Sequence, residues 1–125
     1  MLRISELPVL DLTVLSDMYG DDSDETVILA LSGFNHEAER YVDLLQQALV
    51  SAHYVEAARV AHSVKSMAGL CGAMQLSMLC QLIEIAARQQ DTAQLNKLMP
   101  LLGSCWQALL QQSETELSVR SAGGG

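Results

Sequence analysis

Residues 54–72 read YVEAARVAHSVKSMAGLCG, and the apolar side chains in this segment recur at the spacing of an α-helix. At about 100° per residue, the half of this helix opposite His62 is apolar. That half contains Val60, Val64, Met67 and Cys71, with Ala57, Ala61 and Ala68 beside them. The pattern therefore predicts an amphipathic helix that buries this half and turns His62 away from the core.

Helical periodicity continues on both sides of this segment, and capping residues, Gly and Pro divide it into further helices. The predicted helices span residues 11–19, 23–50, 54–72, 75–89 and 92–116. Pro100 is expected to kink or split the last helix, because a proline inside a helix removes a backbone hydrogen bond. Four amphipathic helices with short connections predict an all-α fold, an antiparallel four-helix bundle with a short additional N-terminal helix.

The bundle is expected to form one domain at residues 11–118, with an N-terminal tail at 1–10 and a disordered C-terminal tail at 119–125. Half of the 125 residues are hydrophobic but only 4% are aromatic, so the predicted core is aliphatic. An acidic cluster precedes the helix at 23–50, where Asp22 and Glu25 have the spacing of a capping box. Helix initiation explains this cluster better than a metal site does, since the ligands would crowd one turn.

The net charge of −8 excludes several classes of function. Nucleic-acid binding normally requires a basic surface, and an anionic membrane would repel this chain. The sequence shows neither a signal peptide nor an apolar segment long enough to span a bilayer. Its cysteines lie in apolar helical segments without metal-ligand spacing, which indicates buried, reduced thiols: Cys71, Cys80 and Cys105. We therefore expect a cytoplasmic monomer with no nucleic-acid or membrane partner.

The face of the predicted helix that carries His62 differs from its apolar half. Lys65 and Ser66 follow at i+3 and i+4, where their side chains reach a group attached to the imidazole. The other residues of this face are small or basic: Ala58, Arg59 and Gly69. Neutral imidazole is a good nucleophile at physiological pH, and a nearby cation stabilises the charge of a transferring phosphoryl group. The face suits phosphoryl transfer, although an isolated helical histidine is often only an ordinary exposed residue.

Several residues of the third and fourth predicted helices and of the turn between them together resemble the motif of a known family. They are Ala61-His62-Ser63-Val64-Lys65-Ser66, then Gly72-Ala73, Leu76, Leu79-Cys80 and Ile83-Glu84. They resemble the signature of histidine-containing phosphotransfer (HPt) domains, which has a histidine, a lysine three residues on and a glycine ten residues on. The resemblance covers about residues 9 to 116. It departs from the family at Ser66, where glycine is more common, and at His53, where a capping acid is common.

The resemblance implies a phosphorelay intermediate. His62 would accept a phosphoryl group on Nε2 from a receiver-domain aspartate of a hybrid sensor kinase and pass it to the aspartate of a response regulator. Lys65 would stabilise the phosphate, and Glu84 would orient the imidazole by accepting from Nδ1–H. Gly72 would have a structural role. The surroundings that meet the partner would be Arg59, Ser66, Ala58, Gly69 and Arg88.

No ATP-binding or kinase motif is found, so the resemblance implies a carrier protein and not an enzyme. No intrinsic cofactor or metal is expected, and the Mg²⁺ required for transfer would come from the partner receiver domain. Two other hypotheses stay open. One is a helical adaptor that regulates a kinase or receiver by docking alone. The other is a metal or redox bundle, although the Glu-x-x-His and paired-Cys spacings of such proteins are absent from the sequence.

Overall fold

A computed structural model describes residues 3–123 of the chain, and these residues form five α-helices and one short 3₁₀ turn. The turn spans Ile4–Glu6, and the helices are α1 (Thr13–Tyr19), α2 (Asp24–Val50), α3 (Tyr54–Cys71), α4 (Met74–Arg88) and α5 (Thr92–Gly123). Among the long helices, α3 packs against α2 and α4, and α5 packs against the same two helices. The predicted all-α bundle with a short N-terminal helix is therefore confirmed, with α1 lying against α3.

The core between the four long helices is aliphatic, as the composition predicts. The largest side chains that are almost completely buried include Leu31, Leu45, Val60, Val64, Leu76, Leu79, Ile83, Leu102 and Leu109. Burying each such side chain stabilises the fold by about 1.5–3 kcal/mol. The three cysteines are free and buried, and burial raises the pKa values of the Cys71 and Cys105 thiols to about 11. They are therefore structural residues of this core.

The N-cap residue of α2 differs from the one predicted in the acidic cluster. Ser23 is the N-cap, and its hydroxyl accepts a hydrogen bond from the Thr26 N–H at 3.3 Å. Asp21 in turn accepts from the Ser23 N–H at 2.8 Å and from the Thr26 hydroxyl at 2.6 Å. The predicted capping box of Asp22 and Glu25 is wrong, because the chain enters the helix one residue later. Within residues 3–123 no cluster of three His, Cys, Asp or Glu side chains is arranged to hold a metal ion.

The N-terminal segment crosses the turn between α3 and α4. Gly72 ends α3 with a φ of +85°, and its carbonyl accepts a hydrogen bond from the Asp11 N–H at 2.8 Å. The Gln75 side chain donates to the Leu7 carbonyl at 2.8 Å. Much of the predicted N-terminal tail is therefore fastened to the bundle, with the side chain of Ile4 packed against the core. Residues 1–2 lie outside the described part of the chain.

The predicted disordered tail at 119–125 is wrong for residues 119–123, because α5 continues to Gly123. Arg120 explains this extension, since it donates to Asp24 at 2.8 Å and to Glu116 at 3.1 Å. The pair with Asp24 connects the end of α5 to the start of α2, and the pair with Glu116 lies within α5. Residues 124–125 lie outside the described part of the chain.

Pro100 lies inside α5 and does not split it. The proline is exposed, so water can solvate the backbone carbonyl that loses its partner. Of the two expected effects, a kink or a split, the split is therefore wrong. None of the helices within residues 3–123 is both long and apolar enough to cross a membrane.

Candidate functional site

The α3 helix displays His62 on the outside of the bundle, as predicted. The neighbouring side chains Val60, Ala61 and Val64 are completely buried, and they fix the rotation of the helix against the core. The His62 side chain is 56% exposed. An imidazole on this face is therefore accessible to a large partner molecule.

Glu84 of α4 accepts hydrogen bonds from three side chains at this site. The Nδ1 atom of His62 lies 3.2 Å from both carboxylate oxygens. The ammonium of Lys65 donates to Oε1 at 3.2 Å, and the guanidinium of Arg88 donates twice to Oε2, from Nη2 at 2.8 Å and from Nε at 3.1 Å. His62, Lys65 and Arg88 are thus joined through the carboxylate of Glu84, whose side chain is only 11% exposed.

The charge of this carboxylate determines how the imidazole is protonated. Burial raises the pKa of Glu84, but the hydrogen bonds from Arg88, His62 and Lys65 outweigh that effect and lower the pKa to about 2. At neutral pH Glu84 is therefore ionised and can only accept hydrogen bonds. The ring atom that faces it must be a donor, so Nδ1 carries the proton. In the neutral imidazole this leaves Nε2 with a free lone pair.

Lys65 is less exposed than His62 and lies beside the same carboxylate. Its side chain is 29% exposed, and its backbone carbonyl accepts a hydrogen bond from the Ser77 hydroxyl at 3.1 Å. The hydrogen bond from Ser77 joins α4 to α3 beside the site. The Lys65 ammonium is therefore held near the imidazole through a shared partner, Glu84.

Three other predicted residues lie near the histidine without joining this cluster. Ser66 is exposed, and its hydroxyl donates to the His62 carbonyl at 3.1 Å. Arg59 pairs with Glu56 one turn earlier on its own helix, and this pair is exposed. Gly69 is half-buried, and an added Cβ would meet only the Ser77 hydroxyl at 3.5 Å. These residues border the site, and the positive charge of Arg59 is paired with the carboxylate of Glu56.

Ala58 was expected to be exposed beside the histidine, and that prediction is wrong. Its relative exposure is 2%, because α4 packs over this side of α3. Ala58 instead lies at the bottom of a groove that Ala87 and Arg88 also line. The helical wheel placed Ala58 on the same side of α3 as His62, but it did not show that α4 packs over this position.

Sequence reasoning missed the contact between Arg88 and Glu84. Arg88 was expected only among the surroundings that meet a partner, whereas the structure places its guanidinium on the carboxylate. The two residues are four positions apart on α4, a spacing at which opposite charges meet on a helix. This spacing was the available signal.

The lowered pKa of Glu84 predicts a pH-dependent contribution to stability. The pKa of Glu84 is about 2 in the folded protein and about 4.5 in the unfolded chain, so the ionised carboxylate stabilises the fold fully above about pH 4.5. This contribution, at most about 3 kcal/mol, is lost as the pH falls towards 2. We expect Glu84→Gln to destabilise the protein at neutral pH, with a difference from wild type that shrinks on acidification.

Chemical denaturation of both proteins between neutral and acid pH measures this effect. Glu114→Gln, a change at an exposed carboxylate of α5, is the matched control and should follow the wild-type curve. A difference between Glu84→Gln and wild type that stays constant with pH would contradict the assignment.

Comparison with known protein families gives a match over the part of the chain that carries the site. The family model described as Hpt domain matches residues 30–116, which is more than half of the chain and includes His62, Lys65 and Glu84. A search of curated proteins and a search of solved structures find no match. The chain therefore belongs to the Hpt domain family, the phosphocarrier modules of histidine phosphotransfer in two-component signalling.

Proposed function

We propose that the chain is a phosphorelay intermediate that carries the phosphoryl group on Nε2 of His62. It accepts this group from a receiver-domain aspartate of a hybrid sensor kinase and transfers it to the aspartate of a response regulator. The supporting observation is the contact of Nδ1 with the ionised Glu84, on a ring that is 56% exposed. This contact places the proton on Nδ1 and keeps the nucleophilic lone pair on Nε2.

The proposed transfer balances without an additional proton donor. The Nε2 lone pair attacks the phosphorus of the aspartyl phosphate, an N–P bond forms, and the P–O bond to the receiver breaks. The aspartate leaves as a carboxylate, and Nδ1 keeps its proton, so the imidazole ring gains positive charge. Glu84 lies 3.2 Å from Nδ1 and stabilises that charge. The reverse sequence delivers the phosphoryl group to the next receiver.

Lys65 supplies positive charge to the transferring group in this proposal. The phosphoryl oxygens carry negative charge in the transition state, and a positioned ammonium stabilises them. Lys65 is placed one helical turn after His62 and has a flexible side chain that is partly exposed. The Mg²⁺ needed for transfer is proposed to come from the receiver domain.

The partner is proposed to dock over the outer face of α3. This face presents Ser66 and Leu70 to solvent beyond the histidine, and Arg88 of α4 is 61% exposed at its edge. A carrier must release one partner before it meets the next, so a modest, transient interface is expected. A cytoplasmic location, where a reducing environment keeps the buried cysteines as thiols, is part of the proposal.

A phosphotransfer profile tests the proposed function. The purified chain is mixed with phosphorylated receiver domains of hybrid kinases and with the response regulators of the same organism. We expect a phosphate on the chain that is labile in acid and stable in base, followed by its transfer to a regulator. Binding to receivers without transfer in any pairing would instead support the docking-only adaptor.

Lys65→Ala is expected to slow transfer by about tenfold to a hundredfold, because the phosphoryl oxygens lose a positioned cation. Helicity should stay unchanged, since the lysine side chain is partly exposed and its partner Glu84 keeps the guanidinium of Arg88. Rapid-quench measurement of transfer from one phosphorylated receiver gives the rate.

Lys97→Ala is the matched control, because Lys97 is exposed on α5. The control is expected to transfer at the wild-type rate. A Lys65→Ala rate equal to that of the control would show that this lysine has no electrostatic role.

A further inference from the structure

Arg88 contacts the carboxylate of Glu84, although the sequence placed it only among the residues that meet a partner. Its guanidinium donates from both Nη2 and Nε to Oε2 of Glu84. Lys65 occupies the other oxygen, Oε1, and the His62 N–H lies between the two oxygens. The two cations thus hold different oxygens of one carboxylate.

The two cations have different tasks if phosphoryl transfer takes place. The proposed function gives Lys65 a second anionic partner, the phosphoryl group, so that the single positive charge of the ammonium is no longer available to Glu84 alone. When Lys65 turns to the phosphoryl group, Glu84 loses the ammonium on Oε1 and keeps only the His62 N–H there. A carboxylate that is only 11% exposed and lacks a cation is unfavourable, so another cation is needed to keep it charged and in place.

We propose that Arg88 is a positioning residue of this site, which holds the Glu84 carboxylate against His62 while Lys65 moves to the phosphoryl group. This inference rests on the proposed function for the movement of Lys65. Its structural part, that Arg88 fixes Glu84 and Glu84 fixes the imidazole, concerns the unphosphorylated protein. Arg88 acts through Glu84 and needs no contact with the phosphoryl group.

Carbon-detected NMR of the Glu84 carboxyl and nitrogen NMR of the His62 ring test this part without any phosphoryl donor. The charged or titratable groups described as facing Glu84 are His62 and Lys65 from α3 and Arg88 from its own helix. His62 donates to Glu84 in either protonation state, so it stays a partner across the titration. Lys65→Ala imitates the state in which the lysine has left.

In the Lys65→Ala background, Arg88→Ala is expected to raise the titration midpoint of Glu84 by about 1 pH unit or more. It should also remove the preference of neutral His62 for the Nδ1–H form. The effect should be smaller when Lys65 is present, because the lysine still holds one oxygen. Arg88→Lys should restore much of the wild-type behaviour, since it returns a positive charge without the fork geometry.

Arg40→Ala is the matched control, because Arg40 is an exposed arginine that pairs with Glu37 on α2. It should change neither signal. Arg88→Gln, which keeps the aliphatic stem, replaces Arg88→Ala if the latter does not fold. An unchanged Glu84 midpoint and an unchanged His62 tautomer in the Lys65→Ala background would overturn the inference, whatever the phosphotransfer profile shows.

Discussion

His62→Gln is expected to abolish phosphorylation of the chain, with the rate of acceptance falling by at least about a thousandfold. Glutamine has a similar polarity but offers no ring nitrogen with a free lone pair, so no N–P bond can form. The side chain is 56% exposed and its neighbours fill the core without it, so the fold should be retained. Radiolabelled transfer from a phosphorylated receiver, followed by acid and base treatment, measures the loss.

The other histidines provide matched controls for this variant. His36 and His53 are exposed, and within the described residues neither side chain is hydrogen-bonded to a carboxylate. His36→Gln and His53→Gln are therefore expected to accept phosphate at the wild-type rate. Acid-labile phosphate that persists on His62→Gln would place the chemistry on another residue and remove the basis of the proposed function.

The residues of α3 show why the fold and the central histidine could be predicted from the sequence. Helical periodicity is a local property, and it assigned Val60, Val64 and Cys71 to the core and His62 to the outside. The C-terminal end of α3 was also predictable, because Gly72 has the positive φ that commonly terminates a helix. One amphipathic pattern therefore determined both the packing direction and the accessible face.

Contacts between helices were harder to predict, because a helical wheel does not show how closely the next helix approaches. Ala58 is only one turn from His62, yet the packing of α4 buries it. The continuation of α5 depends on Arg120 reaching Asp24, a residue 96 positions away in the chain. Such contacts follow from the assembled bundle and have no local sequence signal. The Arg88–Glu84 pair did have one, in its spacing along α4.

Substitution of Gly72 is expected to have the second large effect, a loss of stability, because two independent constraints favour glycine at this position. Its φ of +85° is a conformation that residues with a Cβ adopt at a cost of roughly 1–2 kcal/mol. An added Cβ would also lie 2.0 Å from the carbonyl oxygen of Asp11, whose N–H donates to the Gly72 carbonyl. The backbone of residues 7–12 would have to move away from the turn between α3 and α4.

Gly72→Ala is therefore expected to destabilise the protein by about 3 kcal/mol or more, a shift in melting temperature of roughly 10 °C. Thermal and chemical denaturation measure this loss. Gly20→Ala isolates the backbone term, because Gly20 has a φ of +64° but no heavy atom within 4 Å of the added Cβ. That variant should lose only about 1–2 kcal/mol.

Gly33→Ala completes the series, because Gly33 lies inside α2 and an added Cβ there meets nothing within 4 Å. Alanine favours the helix over glycine, so this variant should gain about 0.5–1 kcal/mol. The expected order of stability separates helix propensity, left-handed backbone strain and steric overlap with Asp11. If Gly72→Ala lost no more than Gly20→Ala, the contact with the N-terminal segment would have no part in holding the turn that follows α3.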